Sequence, residues 1–315
     1  MKNYGIIHFK KANLDNFTSD VGIKLRRKLN PMLRRVFNKA TKGNIIVDRY
    51  PKLEKDIPYI FVSTHNFVED SIATLATLDR NAYLLFGTTN QLENNPTMYG
   101  GWANGFIYVD RYDDVSRKEA IPKMERIINS GSSVLIFVEG GFNNTENLLC
   151  QKIFASPYKL AKLTKKKVVP IAPFYEFGSE NIYMNVGDPI DLSEYNNKEE
   201  ALKTLRDTLG TLVFENIEKH STPINRSELG KDPRMDFMEE RRQEYLKTKW
   251  TCDVWDEELT RYLDKEDKEY LSVQESMDNI VITKDNASIM GPVLVKRKED
   301  KKYDFKNYMK KNWNK

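Results

Sequence analysis

Between Asn44 and His220 the sequence alternates short runs of apolar, β-prone residues with segments of helical periodicity. Strands that alternate with helices are typical of a largely parallel sheet covered by helices. The strand-like runs are Asn44–Val47, Tyr59–Val62, Ala82–Phe86, Phe106–Val109, Val134–Val138, Val168–Ala172 and Ile182–Val186, and the helical patterns are Ile72–Leu78, Arg117–Asn129, Ser156–Leu163 and Lys198–His220. We therefore predict an α/β fold with a mostly parallel or mixed sheet flanked by helices. The glycines and asparagines between Thr88 and Gly105 predict a loop there.

The segment before this region is basic and amphipathic. Asp20 can cap a helix over Val21–Leu29, and Asn30-Pro31 predicts the start of a second helix that runs to Thr41. The basic residues that we expect on these helices include Lys24, Arg26, Arg27, Arg34 and Arg35. Such a helix pair fits either an anionic membrane surface or packing on its own domain. Nucleic-acid binding is not indicated, because no aromatic residues alternate with the basic ones.

Composition excludes several classes of protein. The 315 residues contain no apolar stretch of the roughly 18 residues that a spanning helix needs, and the N-terminus has no pattern of a secretory signal. Two cysteines are too few for a disulfide framework, and three histidines argue against a His-rich zinc site. With a net charge of +4, the sequence favours a cytoplasmic protein that is peripheral at the inner face of the membrane.

The stretch from Ser63 to Asp70 is the first candidate for chemistry. It follows an apolar strand and precedes a helical pattern, so His65 lies where a strand ends, with Asp70 about one turn further on. An imidazole with a carboxylate in reach can take a proton from a hydroxyl, and the carboxylate fixes the imidazole tautomer. A lone His at a helix start is also often only a cap or a buried core residue, so this stretch alone leaves both readings open.

Three further stretches place polar groups or glycines at the boundaries of apolar strands. Gly105 begins a run that ends in Asp110 and Arg111, and an arginine fork suits phosphate. Another strand ends in Glu139-Gly140-Gly141, where glycines let the backbone approach a ligand. Pro170 lies in the fourth stretch, Val168 to Pro173.

In this order and spacing, the four stretches resemble the sequence blocks of the glycerolipid acyltransferase family, which includes 1-acylglycerol-3-phosphate acyltransferases. His65 and Asp70 match the first block, and Gly105 with Val109-Asp110-Arg111 matches the second. Phe137 with Glu139-Gly140 matches the third, and Val169-Pro170-Ile171 matches the fourth. The resemblance covers about residues 55 to 190.

The resemblance implies acyl transfer from acyl-CoA or acyl-carrier protein to the hydroxyl of a lysolipid. It implies His65 as general base, Asp70 as its support, and no cofactor or metal. The expected substrate-binding residues are Gly105, Arg111, Glu139, Gly140, Gly141 and Pro170. The third block departs from the family pattern, because Gly140-Gly141-Phe142-Asn143-Asn144 stands where Gly-Thr-Arg-Ser is usual. The missing arginine makes an acceptor without a glycerol phosphate conceivable.

The predicted organisation has three parts. Residues 1–43 form the basic N-terminal helical element, residues 44–222 form the acyltransferase catalytic domain, and residues 223–315 form a charged appendage of helical and mixed character. Two other functions are consistent with the same residues. One is a metal-dependent hydrolase with His65, Asp70, Asp110 and Glu139 as ligands, and the other is a non-catalytic protein that binds lipid surfaces. Cys150, near the third block, is interpreted as a buried hydrophobe rather than a nucleophile.

Overall fold

The computed structural model describes residues 20–41, 43–66, 69–87, 97–109, 114–143, 148–176 and 179–221. Within these ranges a single mixed sheet is flanked by helices. Its strands are β1 (Asn44–Arg49), β2 (Ile60–Ser63), β3 (Ala82–Gly87), β4 (Phe106–Val109), β5 (Ser133–Phe137), β6 (Val168–Tyr175) and β7 (Asn181–Val186). The helices are α1 (Asp20–Ala40), α2 (Glu69–Thr77), α3 (Thr97–Asn104), α4 (Asp114–Asn129), α5 (Ser156–Thr164) and α6 (Lys198–His220), with a 3₁₀ turn at Leu192–Glu194. The predicted appendage, residues 223–315, lies outside the described residues.

The seven strands lie in the order β1-β7-β6-β2-β5-β3-β4. Five of the six neighbouring pairs are parallel, and β6 and β7 are antiparallel. The predicted mostly parallel or mixed α/β sheet is therefore confirmed. β2 lies between β5 and β6, at the centre of the sheet, and all four of its residues are buried.

The core has two layers because strand side chains alternate between the faces of the sheet. Phe61 of β2 packs in one layer, together with Leu33 of α1 and Leu75 of α2. Its neighbours Ile60 and Val62 pack in the other layer, which also holds residues of α4, α5 and α6. Burial on both faces explains why the central strands are apolar throughout.

The basic segment forms one helix, so the predicted break at Asn30-Pro31 is wrong. α1 runs from Asp20 to Ala40 with Pro31 inside it. A proline inside a helix costs about 3 kcal/mol, yet the buried residues keep helical spacing across it: Ile23, Asn30, Leu33 and Phe37. Packing of this face on the sheet and its helices offsets the cost of the proline, and the sequence signal of a helix start is overridden.

The predicted loop between Thr88 and Gly105 contains a helix, α3, over Thr97–Asn104. Gly100 and Gly101 lower the helical propensity of this segment, which is why the sequence pattern indicates a loop. A Cβ on Gly101 would lie 1.6 Å from the ring of Phe106. The glycine is thus required by close packing of α3 on β4, and this contact, not local propensity, maintains the helix.

Of the helices between Asp20 and Ser221, none in the described ranges combines the length and the apolarity that crossing a bilayer requires.

Candidate active site

The end of β2 places His65 at the carboxyl edge of the central strands. The Val138 N–H donates to Ser63 O at 3.2 Å, and the Thr64 N–H donates to Ile171 O at 3.2 Å. These bonds continue the ladders that join β2 to β5 and β6. His65 therefore follows a backbone that is fixed on both sides, at the edge where α/β proteins typically bind ligands.

His65 and Asp70 form the predicted pair. Nδ1 of His65 lies 3.0 Å from Oδ2 of Asp70, which also accepts the N–H of Asn66. The Asp70 side chain is fully buried in the first turn of α2, whereas 16% of the His65 side chain is exposed. With Nδ1–H donating to the carboxylate, Nε2 keeps its lone pair for a proton. This geometry matches that of a general base with its orienting carboxylate.

Two phenylalanines pack against the imidazole ring of His65. Phe137 stacks on it at a centroid distance of 4.1 Å and an interplanar angle of 24°, and Phe142 packs on it at 4.4 Å and 49°. Phe142 stands at the position where the third block usually has its arginine. It is buried, so this chain has an apolar side chain packed on the candidate base where the family pattern has a cation.

Glu139 is fully buried and binds backbone. Its Oε1 accepts the N–H of His65 at 3.0 Å, and its Oε2 accepts the N–H of Gln151 at 2.8 Å. Both oxygens thus hold main chain beside the candidate base, and the substrate-binding role that the sequence predicts for Glu139 stays a prediction. Gly140 follows with a φ of 72°, a left-handed conformation that favours glycine, and Gly141 is buried.

Neither Gly105 nor Pro170 lies at the carboxyl ends of the strands, where His65 is placed. Gly105 precedes β4, where Phe106 is in register with Leu84 of β3. A Cβ at Gly105 would lie 2.5 Å from the Tyr83 ring, so packing explains this glycine. Pro170 is buried within β6, opposite Val62, and its carbonyl accepts the N–H of Gly187 at 2.8 Å.

Asp110 and Arg111 lie outside the described residues. β4 ends at Val109, which is in register with Gly87 of β3, so the chain continues towards Asp110 from the carboxyl edge of the sheet. The role predicted for Arg111 stays a prediction.

The hydrolase alternative predicts a group of metal ligands at this site. Among the residues that the structure describes, no three His, Cys, Asp or Glu side chains are grouped so that they could hold a metal ion. Glu139, a predicted ligand of the hydrolase alternative, directs both oxygens to backbone N–H groups. The arrangement fits proton transfer better than ligation.

Cys150 is buried, as the sequence predicts. Burial raises the pKa of its thiol well above the ordinary value, and the charge of Glu139 raises it further. A thiol held in its protonated form is a poor nucleophile, so the site has no activated cysteine at this position.

Two polar residues of the site are absent from the sequence-based prediction. Asn143 donates its backbone N–H to His65 O at 2.6 Å. The side chain of Gln151 donates to Asn143 Oδ1 at 3.1 Å and to Phe142 O at 3.3 Å. No local pattern marks these residues, because their hydrogen bonds depend on how separate segments meet in the fold; the departure of the third block at Asn143 is the one available signal.

Comparisons with known proteins find a matching family model and a similar fold. Residues 44–173 match the sequence model of the Acyltransferase family. The fold is similar to that of the 1-acyl-sn-glycerophosphate (LPA) acyltransferase PlsC from Thermotoga maritima, with a TM-score of 0.50 and 16% identity over 60% of this chain and 80% of that chain. A search of curated proteins found no match.

The family match and the fold support an O-acyltransferase enzyme. Residues 44–173 match the Acyltransferase family, which agrees with the family resemblance expected from the sequence.

Proposed function

We propose that this enzyme transfers a fatty acyl group from a thioester donor, acyl-CoA or acyl-carrier protein, to the hydroxyl of a lysolipid such as 1-acylglycerol-3-phosphate. The observation that carries the proposal is the 3.0 Å contact between His65 and buried Asp70 at the end of β2, within an Acyltransferase domain. The name of the solved relative, an LPA acyltransferase, supports a lysolipid acceptor.

The proposed chemistry needs one base and no covalent acyl-enzyme. Nε2 of His65 takes the proton of the acceptor hydroxyl as its oxygen attacks the thioester carbonyl. The tetrahedral intermediate then expels the thiolate, which takes the proton back from the imidazolium. Asp70 stabilises the imidazolium and keeps Nδ1 protonated throughout. The buried Cys150 thiol takes no part.

Two residues bear on the choice of acceptor. Arg111 offers a guanidinium for a phosphate of the acceptor or of the donor. Phe142, packed on His65, replaces the second cation that the family pattern supplies. We therefore include acceptors with a phosphodiester or without any phosphate beside those with a phosphomonoester.

A panel assay tests the proposal. The purified chain is incubated with oleoyl-CoA or oleoyl-acyl-carrier protein and with lysophosphatidic acid, lysophosphatidylglycerol, lysophosphatidylcholine or monoacylglycerol, and the products are read by mass. We expect acylated product from at least one acceptor, formed by the wild type and not by His65→Ala. Thioester hydrolysis without product from any acceptor would contradict acyl transfer and favour a hydrolase.

We also propose that α1 binds an anionic membrane surface, which would bring the site to its lipid acceptor. The exposed apolar residues of α1 form one stripe at helical spacing: Val21, Leu25, Leu29, Met32 and Val36. Exposed basic residues lie beside the stripe: Lys24, Lys28, Arg35 and Lys39. An exposed apolar stripe flanked by cations is typical of helices that lie in a membrane interface.

The predicted set of membrane-contacting residues divides in two. Arg26 lies over the Tyr83 ring at 5.8 Å, and Arg34 donates to Ala76 O at 3.4 Å. These two guanidinium groups contact the domain, as the packing alternative expects. Lys24 and Arg35 are exposed and remain in the proposed membrane surface, whereas Arg27 is exposed but its guanidinium also lies beside Gly131.

Vesicle sedimentation tests the exposed basic residues of α1. Replacing Lys24, Lys28, Arg35 and Lys39 by Glu should abolish binding to anionic vesicles, because each cation near such a surface contributes about 1 kcal/mol. The matched control replaces Lys52, Lys55, Lys118 and Lys167, which are exposed elsewhere, and should bind like the wild type. Equal binding by both quadruple variants would contradict the role of α1.

A further inference from the structure

We propose that Asn143 and Gln151 are positioning residues that fix the backbone of His65 through a closed ring of hydrogen bonds. The inference deepens the proposed acyl transfer and rests on His65 as its base. In this proposal neither side chain touches the substrate. Their effect on catalysis passes through the main chain of His65.

Glu139 forms the first half of the ring. It joins two segments that are distant in sequence, because one oxygen accepts the His65 N–H and the other accepts the Gln151 N–H. The carboxyl group is fully buried, so losing either hydrogen bond would leave a buried polar group unsatisfied. The position of residue 65 therefore depends on that of residue 151.

The carboxamide of Gln151 forms the second half. Its Nε2 donates to Asn143 Oδ1 at 3.1 Å, and the backbone N–H of Asn143 donates to His65 O at 2.6 Å. The ring thus returns to the residue from which it started, and holds both the N–H and the carbonyl of His65. Asn143 Nδ2 also donates to Leu148 O at 2.8 Å, which joins the two segments on either side of residues 144–147.

Burial makes this ring stiff. Asn143 is 2% exposed and Gln151 is 1% exposed, so water cannot readily replace a lost partner, and breaking one bond leaves a buried polar group unsatisfied. The imidazole must meet Asp70 and the acceptor hydroxyl together, and a misplacement of about 1 Å can reduce the rate about 100-fold. Fixing the His65 main chain fixes the starting point of its side chain.

Kinetics of two variants test the inference. Gln151→Met removes the amide at nearly constant volume, and Asn143→Ser shortens the acceptor. Each should lower kcat about 10- to 100-fold and leave KM within about twofold, because a positioning residue contributes no binding contact. The double variant should lose about as much as either single variant, since both break the same ring.

Asn81→Leu is the matched control. Asn81 is a buried amide that donates to Asn104 O at 3.0 Å, and it precedes β3 at the opposite edge of the sheet from His65. Asn81→Leu should lower the melting temperature by about as much as Gln151→Met or Asn143→Ser does, and it should leave kcat unchanged. A parallel loss of kcat in Asn81→Leu, or additive losses in the double variant, would overturn the positioning role.

A spectroscopic readout is independent of turnover. The proton on Nδ1 of His65, bonded to Asp70, should give a downfield NMR resonance that is absent from His65→Ala. This resonance should move or broaden in Gln151→Met and Asn143→Ser, and it should stay in place in Asn81→Leu. An unmoved resonance in the ring variants overturns the inference even if acyl transfer is established. If no acceptor is acylated, the proposed function fails, and this resonance alone decides the ring.

Discussion

The carboxylate of Glu139 accepts the backbone N–H of His65 at 3.0 Å, although the two residues are 74 positions apart in the sequence. In the sequence Glu139 resembles a substrate ligand of the third block. In the structure its carboxylate holds the backbone of the candidate base. Its other oxygen holds Gln151, so the carboxylate links two backbone segments. These contacts support a role for Glu139 in holding the site, which is distinct from a role in binding the substrate.

Glu139→Gln tests that separation. The amide keeps one acceptor but turns an N–H₂ towards one of the two backbone donors, so one buried N–H loses its partner. We expect a loss of about 1–3 kcal/mol in unfolding free energy and a lower kcat. KM for the acceptor should stay near the wild-type value, as measured by steady-state kinetics and urea unfolding. A large rise in KM with unchanged stability would return Glu139 to the substrate.

Asp70→Asn should remove the tautomer control on His65. The amide can donate to Nδ1, which would place the proton on Nε2 and block the base. A change of this kind costs about 10⁴-fold in kcat in a serine protease with the same pair, and a similar loss is expected here. Circular dichroism should show an intact fold, because the side chain keeps its shape. Near-normal kcat in Asp70→Asn would show that the pair does not serve the chemistry.

Cys150 should resist thiol reagents in the native protein, because burial and the neighbouring Glu139 charge raise its pKa. In a Cys252→Ser background, iodoacetamide at neutral pH should modify Cys150 only after denaturation, as read by intact mass. Cys150→Ala should keep its activity, and no acyl adduct should accumulate during turnover. An acylated Cys150 in the wild type would replace the direct-transfer mechanism by a covalent one.

Asp48 should make stability depend on acid pH. Burial acts to raise its pKa, but hydrogen bonds and charge from Lys219 and His220 outweigh burial and hold the pKa below its ordinary value. A lowered folded-state pKa stabilises the fold above the unfolded value of about 3.9, and this stability is lost as pH falls through the folded pKa. Asp48→Asn should therefore be less stable at pH 7, and the difference from wild type should shrink towards pH 2.

Asp188→Asn is the control for this pH effect. Asp188 also pairs with a cation, Arg49, but its side chain is 72% exposed, so its ion pair should contribute little. Urea unfolding at a series of pH values compares the two variants. Equal stability losses in Asp48→Asn and Asp188→Asn, or a loss for Asp48→Asn that does not change with pH, would contradict the assignment.

The sheet was largely predictable from sequence because its signals are local. Phe106–Val109 is both the predicted and the observed strand, and Lys198–His220 is both the predicted and the observed helix. The sequence pattern predicts a break within the helix Asp20–Ala40 and a loop in place of the helix Thr97–Asn104. Both predictions are wrong, because Pro31 and Gly101 carry local signals that tertiary packing overrides. Propensity is decided within one segment, whereas these two outcomes depend on packing against other elements of the fold.

The candidate site was predictable where one segment supplies both partners. His65 and Asp70 are five residues apart, so their contact follows from a strand that ends before a helix. The ring of Glu139, Asn143 and Gln151 joins three segments through hydrogen bonds, and the register between them is a property of the folded sheet. The sequence could thus indicate the chemistry of the site but not the residues that support it.

The central claim is that His65 is the base of an acyl transfer. The most direct test is the initial rate of acylated lysolipid formed from oleoyl-CoA or oleoyl-acyl-carrier protein by wild type and His65→Ala, on the acceptor that the panel identifies, with circular dichroism as the control for folding. We expect a folded His65→Ala protein whose rate is lower by about 100- to 10,000-fold. A folded His65→Ala protein that forms product at a rate near that of the wild type would contradict it.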